Sequence, residues 1–252
     1  MEVRTGKTLT ALETANKQDI HSVLFITKKK AIGSVKKDYE LLNPDYEMEV
    51  INYESLHKTE GIYDLIVLDE AHCVGSYPKK SKRFNDVRSV IERNPLMQII
   101  YLSGTPSPES YSQLFHQFRL SNEFSPFKEF STFYKWAKFF VDVEKKNLGY
   151  ATVNDYSGAK KKEIMEVLKP YFISYTQKEA GFNQVVNEEV LKVPMMDSTM
   201  KMISRLKKDK VIEGKNNVIL ADTSVKLQNK IHQMCSGTIK FEDGDSMILD
   251  PS

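Results

Sequence analysis

The strongest constraint in this sequence is a set of short, nearly unbroken apolar runs, each set off by stretches of helical spacing. Ser22-Val23-Leu24-Phe25-Ile26-Thr27, Leu65-Ile66-Val67-Leu68 and Gln98-Ile99-Ile100-Tyr101-Leu102 have strand length and are rich in β-branched and aromatic residues. Met48 to Asn52 is also strand-like. Lys7 to Ala15, Ala31 to Tyr39 and Asn85 to Arg93 carry helical spacing, the last stopped before Pro95. A strand that is apolar along its whole length must be covered on both faces, and helices between such strands are the covering elements. The pattern predicts an α/β fold with a mostly parallel sheet.

The rhythm changes after Pro106. Glu109 to Lys169 reads as mostly helical and aromatic, with Phe133, Tyr134, Trp136, Phe139 and Phe140 close together. Such a cluster is read as the core of a helical segment rather than a base-stacking platform. Phe172 to Tyr175 and Glu189 to Val193 read as further strands, and Asp197 to Lys210 and Thr223 to Cys235 as helices. Thr238 to Leu249 reads as a hairpin turning at Glu242-Asp243-Gly244-Asp245.

Bulk properties exclude more than they assign. Among 252 residues, 36 Lys and Arg against 34 Asp and Glu leave no global charge that would announce a nucleic-acid partner. Basic residues cluster locally, as at Lys28-Lys29-Lys30 and Lys160-Lys161-Lys162, and such runs are most often solvated faces. No apolar run approaches the ~20 residues that span a bilayer, so no membrane partner is expected. Cys73 and Cys235 are the two cysteines, which fits a reducing, cytoplasmic setting better than a disulfide framework.

Three strand-end motifs carry the chemistry. Thr5-Gly6-Lys7-Thr8 runs straight into a helix and has the parts of a phosphate loop. Glycine lets the backbone approach phosphates, Lys7 reaches the β- and γ-phosphates, and the Thr8 hydroxyl is a Mg²⁺ ligand. Taken alone, the string also suits a surface turn. Leu65 to Leu68 ends in Asp69-Glu70-Ala71-His72, two carboxylates where α/β sheets place their ligands. Asp69 is the candidate Mg²⁺ partner, Glu70 the group that polarises an attacking water, and His72 completes the catalytic set. Ser103-Gly104-Thr105-Pro106 follows the Gln98 to Leu102 strand, where its hydroxyls can bond the acidic motif and couple to the nucleotide state.

In this order the three motifs resemble the Walker A, DEAH-type Walker B and third motif of superfamily 2 helicases, Swi/Snf-like branch. Val23 to Lys29 resembles the segment that touches the DNA backbone, Ile51-Asn52-Tyr53-Glu54-Ser55-Leu56 a further segment of that branch, and Leu168 to Lys178 the stretch leading toward the second lobe. The Arg4-Thr5-Gly6-Lys7-Thr8 loop is similar to that of phage and prophage members. The resemblance implies a RecA-like P-loop NTPase lobe over residues 1–108, a helical insertion over 109–170, and remaining strands, helices and a hairpin over 171–252. It implies ATP and Mg²⁺ as cofactors, with Arg4, Thr5, Gly6, Lys7 and Thr8 at the nucleotide and Ser103, Gly104 and Thr105 coupling. It further implies double-stranded DNA as partner, touched through Lys28, Lys29, Asn52 and Tyr53 mainly at phosphates, in a bacterial or phage-infected cytoplasm.

Departures temper the transfer. Arg4 stands where a glycine is usual, and Ser107-Pro108 follows the third motif in place of the usual residues. No strand precedes the loop and no second lobe follows Ser252, so residues before Gly6 are expected to be loosely packed, Lys7 unusually exposed, and the chain alone nearly inactive. Two alternatives remain: another nucleic-acid motor, such as a terminase or restriction-system subunit, and a catalytically silent module that binds DNA or protein.

Overall fold

A computed structural model of the chain describes residues 1–2, 5–147, 152–181, 189, 194–214 and 217–249. The chain divides into two compact units, Met1–Gln184 and Val185–Ser252, and segment 109–170 lies within the first.

The first unit is built on a four-stranded, all-parallel sheet: β1 (Ser22–Thr27), β2 (Glu47–Asn52), β3 (Leu65–Asp69) and β4 (Gln98–Leu102), in the order β2-β1-β3-β4. With α1 (Lys7–Asn16), α2 (Ile32–Leu42) and α3 (Lys82–Ile91) it forms an α/β, RecA-like lobe. Alternation along the central strands sends side chains to two separate cores. Leu24, Ile26, Ile66 and Leu68 pack with Phe84, Val87, Val90 and Ile91 of α3. Val23, Phe25, Leu65 and Val67 pack with Ala11, Leu12 and Ala15 of α1 and Val35 of α2. Each of these strand residues is buried, and burying a side chain of this size contributes about 1.5–3 kcal/mol. Both faces being dry explains the unbroken apolar runs.

Chain order fixes where a ligand can sit. From β1 the chain crosses α2 to β2 on one side, and it returns to β3 on the other side of β1 before α3 carries it on to β4. Helices leave the sheet in opposite directions at the C-terminal ends of β1 and β3, opening the crevice that open α/β sheets use for ligands. Asp64 pins the opposite end of this pair, its Oδ2 accepting from the Ser22 N–H at 2.9 Å and the His21 N–H at 3.0 Å.

Beyond β4 the structure corrects the expectation of a mostly helical segment. α4 (Gln113–Phe118), α5 (Phe133–Phe140) and α6 (Lys161–Leu168) are joined by an antiparallel hairpin, β5 (Glu144–Asn147) with β6 (Thr152–Asp155). Those strands hold mostly charged and polar residues, so no apolar period marks them. Phe115, Phe127, Phe133 and Trp136 form the core beneath. Phe172 to Tyr175 is not a strand: it follows a 3₁₀ turn at Lys169–Tyr171, and Phe172 packs its ring 5.8 Å from that of Phe118. In the second unit, α7 (Asp197–Asp209) and α8 (Ser224–Cys235) are accompanied by two hairpins. One is β7 (Val211–Glu213) with β8 (Val218–Leu220), which the sequence reading missed; the other is β9 (Thr238–Lys240) with β10 (Ser246–Ile248). The strand expected at Glu189 to Val193 lies, apart from Glu189, outside the described residues.

Trp136 is fully buried and its Nε1 has no hydrogen-bond partner. Trp136→Ala is therefore expected to cost about 3–5 kcal/mol in urea unfolding. Trp136→Phe should cost less than about 1.5 kcal/mol, because it also removes an orphaned N–H whose burial costs ~1–3 kcal/mol.

Candidate active site

The sheet's C-terminal edge brings the three motifs together. The loop before α1 turns on Gly6, whose φ of 77° is left-handed and would strain any other residue. No atom lies within 4 Å of where a Cβ would stand, so the approach to this backbone is open. Gly6 also caps α1 without a side-chain hydrogen bond, and no acidic residue occupies the first turn. The helix's first N–H groups are thus left for an external acceptor, the arrangement that favours an anion.

Facing this loop, Asp69 and Glu70 end β3. Parallel register sets Ile26 beside Leu68, which places Thr27 opposite Asp69. Thr27 is fully buried, and its hydroxyl donates to Asp69 Oδ2 at 2.6 Å. The Glu70 N–H donates to Asp69 Oδ1 at 3.1 Å, and the Tyr53 hydroxyl donates to the Asp69 carbonyl at 2.8 Å. Glu70 itself stands in left-handed backbone, φ 53° and ψ 45°, unusual for a non-glycine residue and characteristic of functional sites. Its carboxylate is held from two sides. Lys28 Nζ donates to Oε1 at 3.0 Å, and His72 Nδ1 lies 3.5 Å from Oε2. That hydrogen bond to Glu70 raises the Lys28 ammonium above its ordinary pKa. His72 Nδ1 is also 3.2 Å from Ser103 Oγ, and Ser103 Oγ accepts from the Thr105 N–H at 3.2 Å. The acidic motif and the third motif are therefore joined through His72.

A cleft of about 690 Å³ is lined by Lys7, Asp69, Glu70, His72, Gly104 and Thr105, together with Glu2 and Gln177. Thr8 lies one residue further into α1 and is not on that lining. Arg4 lies outside the described residues.

Ahead of Gly6, the expected loose packing is corrected at the described positions. The Glu2 N–H donates to the Tyr175 carbonyl at 2.9 Å, and the Glu2 carboxylate accepts from the Gln177 N–H at 2.7 Å. Thr5 is buried, and both its hydroxyl and Lys7 Nζ donate to the Glu2 carbonyl, at 2.7 and 2.8 Å. Lys7 is half-buried rather than extended into solvent. Glu2, Gln177 and Thr27 were given no site role from sequence, although Thr27 and Gln177 lie in the segments 23–29 and 168–178 that the resemblance picks out.

The remaining candidates separate. Tyr53 is buried under the strand end, and burial holds its hydroxyl well above its usual pKa, so it presents no surface to a polyanion. Asn52 donates to Glu54 Oε2 at 2.9 Å, and Lys29 is exposed.

The SNF2-related domain family matches residues 7–240, from the phosphate loop into the final hairpin. The chain belongs to that family. Search of curated proteins returns no match. An SNF2-related domain is the ATP-dependent motor lobe of a nucleic-acid translocase, and SNF2 ATPase domains use ATP and Mg²⁺. The residues present fit that cofactor: an open glycine turn and unfilled helix N–H groups for phosphates, with a carboxylate across the cleft for the cation. Among the described residues no group of three or more His, Cys, Asp or Glu gathers to hold a metal alone. Such a Mg²⁺ would rest on one carboxylate and on phosphate oxygens, as Mg²⁺ commonly does. Among the described residues no helix of this SNF2-related domain is long and apolar enough to cross a membrane.

Because the space beside Gly6 is open, its requirement is purely conformational. Gly6→Ala is expected to lose about 1–2 kcal/mol of stability for forcing left-handed backbone, and Gly6→Asn to lose less. Equal losses, or none, in thermal unfolding would contradict the turn geometry.

Proposed function

We propose that this SNF2-related domain is the ATP-binding and hydrolysing N-terminal lobe of an ATP-dependent, double-stranded DNA translocase or helicase of phage type, working in a bacterial or phage-infected cytoplasm. The observation that carries the reading is one cleft shared by Lys7, Asp69, Glu70, His72 and Thr105. A phosphate loop alone would suit many anion binders. A phosphate loop facing paired carboxylates wired to a third motif suits phosphoryl transfer.

The division of labour follows from position. Gly6, Lys7 and Thr8 bind the phosphates through backbone N–H groups, ammonium and hydroxyl, with Arg4 and Thr5 completing the loop. Lys7 now donates to the Glu2 carbonyl, a neutral acceptor, and a phosphate oxygen outcompetes it by adding the attraction of opposite charges to the hydrogen bond. Thr8 and Asp69 would hold Mg²⁺, which would supply neutralising charge at the phosphates. Glu70 orients the attacking water, and His72, Ser103, Gly104 and Thr105 transmit the state of that site to the rest of the lobe. A second RecA-like lobe is the partner that closes the cleft. Lys28, Lys29 and Asn52 form the DNA track, while Tyr53 supports Asp69 from beneath. Contacts made by lysines go to phosphates and are largely independent of base sequence.

In the intact protein, Lys7→Ala and Glu70→Gln should each remove nearly all DNA-stimulated ATP hydrolysis. A variant keeping more than about a tenth of wild-type turnover, less than ~1.4 kcal/mol of barrier, contradicts its assigned role. Duplexes of unrelated sequence should bind with similar affinity that falls as salt rises. Strong base preference, or affinity flat with salt, rules out the phosphate track.

A further inference from the structure

The Glu70 carboxylate is tethered at one of its two oxygens in this structure. One carboxylate oxygen accepts from Lys28 Nζ at 3.0 Å and the other lies 3.5 Å from His72 Nδ1. Its backbone has little room to re-aim the side chain, because the left-handed turn at Glu70 is fixed by its N–H bond to Asp69 Oδ1 and by the Cys73 N–H bond to its carbonyl at 3.0 Å. A carboxylate that polarises water needs an oxygen lone pair directed at that water. An ammonium bonded to Oε1 occupies one of its lone pairs and holds the side chain toward Lys28.

Lys28 is placed to serve two anions. It is the residue after β1, it precedes Lys29 and Lys30 in a 3₁₀ turn, and its side chain is 66% exposed while that of Glu70 is 33% exposed. Lys28 begins a run of three exposed lysines, a sequence that attracts a polyanion, and it is bonded to a carboxylate that lines the cleft.

We infer that Lys28 is a positioning residue that restrains Glu70 in the absence of DNA and releases it when a DNA phosphodiester takes over the ammonium. This deepens the proposed function and rests on it: the same lysine that touches DNA reports that contact to the hydrolytic carboxylate, 42 positions away in sequence and one strand away in the sheet. No proton or electron pair is transferred. One ion pair is exchanged for another, and a lone pair of Glu70 Oε1 becomes available to water.

An exposed ion pair is a weak restraint, so the effect is modest. Removing it should raise turnover without DNA by about two- to fivefold, the range expected for exposed pairs. The test measures ATP hydrolysis by the intact protein with and without duplex DNA. Wild type is compared with Lys28→Gln, Lys28→Arg and Lys30→Gln. Lys28→Gln should raise kcat without DNA by that factor, leave KM for Mg-ATP unchanged, and lower the fold-stimulation by DNA correspondingly. Lys28→Arg, which keeps the pair, and Lys30→Gln, which never made it, should keep the low DNA-free rate. If Lys28 only contacts DNA, Lys28→Gln leaves the DNA-free rate unchanged. If it instead assists Glu70, that rate falls. Either result overturns the restraint while leaving the proposed function standing. Wild type without DNA-stimulated hydrolysis overturns the functional reading and the restraint together.

Discussion

Parallel pairing of β1 with β3 is the contact on which the cleft depends. Both strands are buried on both faces, so neither can slip by one residue against the other without turning its four apolar side chains toward the wrong core. That register puts Thr27 opposite Asp69, whose Oδ2 accepts from the Thr27 hydroxyl while Oδ1 accepts from the Glu70 N–H. Lys28 follows as the next residue along β1, and Glu70 as the next along β3. The ion pair between them is a consequence of strand pairing rather than of any local motif.

Left-handed backbone occurs in two of the three motifs that form the cleft. Gly6 and Glu70 both hold left-handed backbone, but only at Gly6 is the residue type suited to it. At Glu70 the carboxylate is needed, and the surrounding bonds hold the backbone there: Tyr53 beneath Asp69, and the Cys73 N–H and thiol donating to the Glu70 carbonyl. A residue of this kind is retained for its chemistry, at a cost in stability that the buried core around it offsets. Sites of this design are expected to gain stability and lose activity when relaxed.

Much of the lobe was legible before the structure. Continuous apolar runs at residues 22–27 and 65–68 report strands dry on both faces, and the run at 98–102 reports the partly covered edge strand beside them. The phosphate loop, the acidic pair and Ser103-Gly104-Thr105 were legible because each is contiguous, the first at a helix start and the other two at strand ends. What sequence did not disclose was pairing across distance. Thr27 with Asp69, Lys28 with Glu70, and Glu2 with Tyr175 and Gln177 depend on register and on a returning segment, and nothing local marks them. The β5–β6 hairpin escaped because polar strands lack an apolar period. Tyr53 was expected on the DNA track because of its neighbours in a motif, yet its hydroxyl is buried against the Asp69 carbonyl.

Paramagnetic broadening by Mn²⁺, substituting for Mg²⁺ and followed by NMR on the backbone amides of the chain, tests most directly whether the cleft holds a metal-bound nucleotide. With ATP present, signals from Gly6 to Thr8, from Thr27, and from Asp69 and Glu70 should be lost first. Residues around Arg88 and Arg119, which line a separate hollow of about 350 Å³, should keep theirs. Broadening that is the same without ATP, or that centres on Arg88 and Arg119 instead of Asp69, would contradict the account.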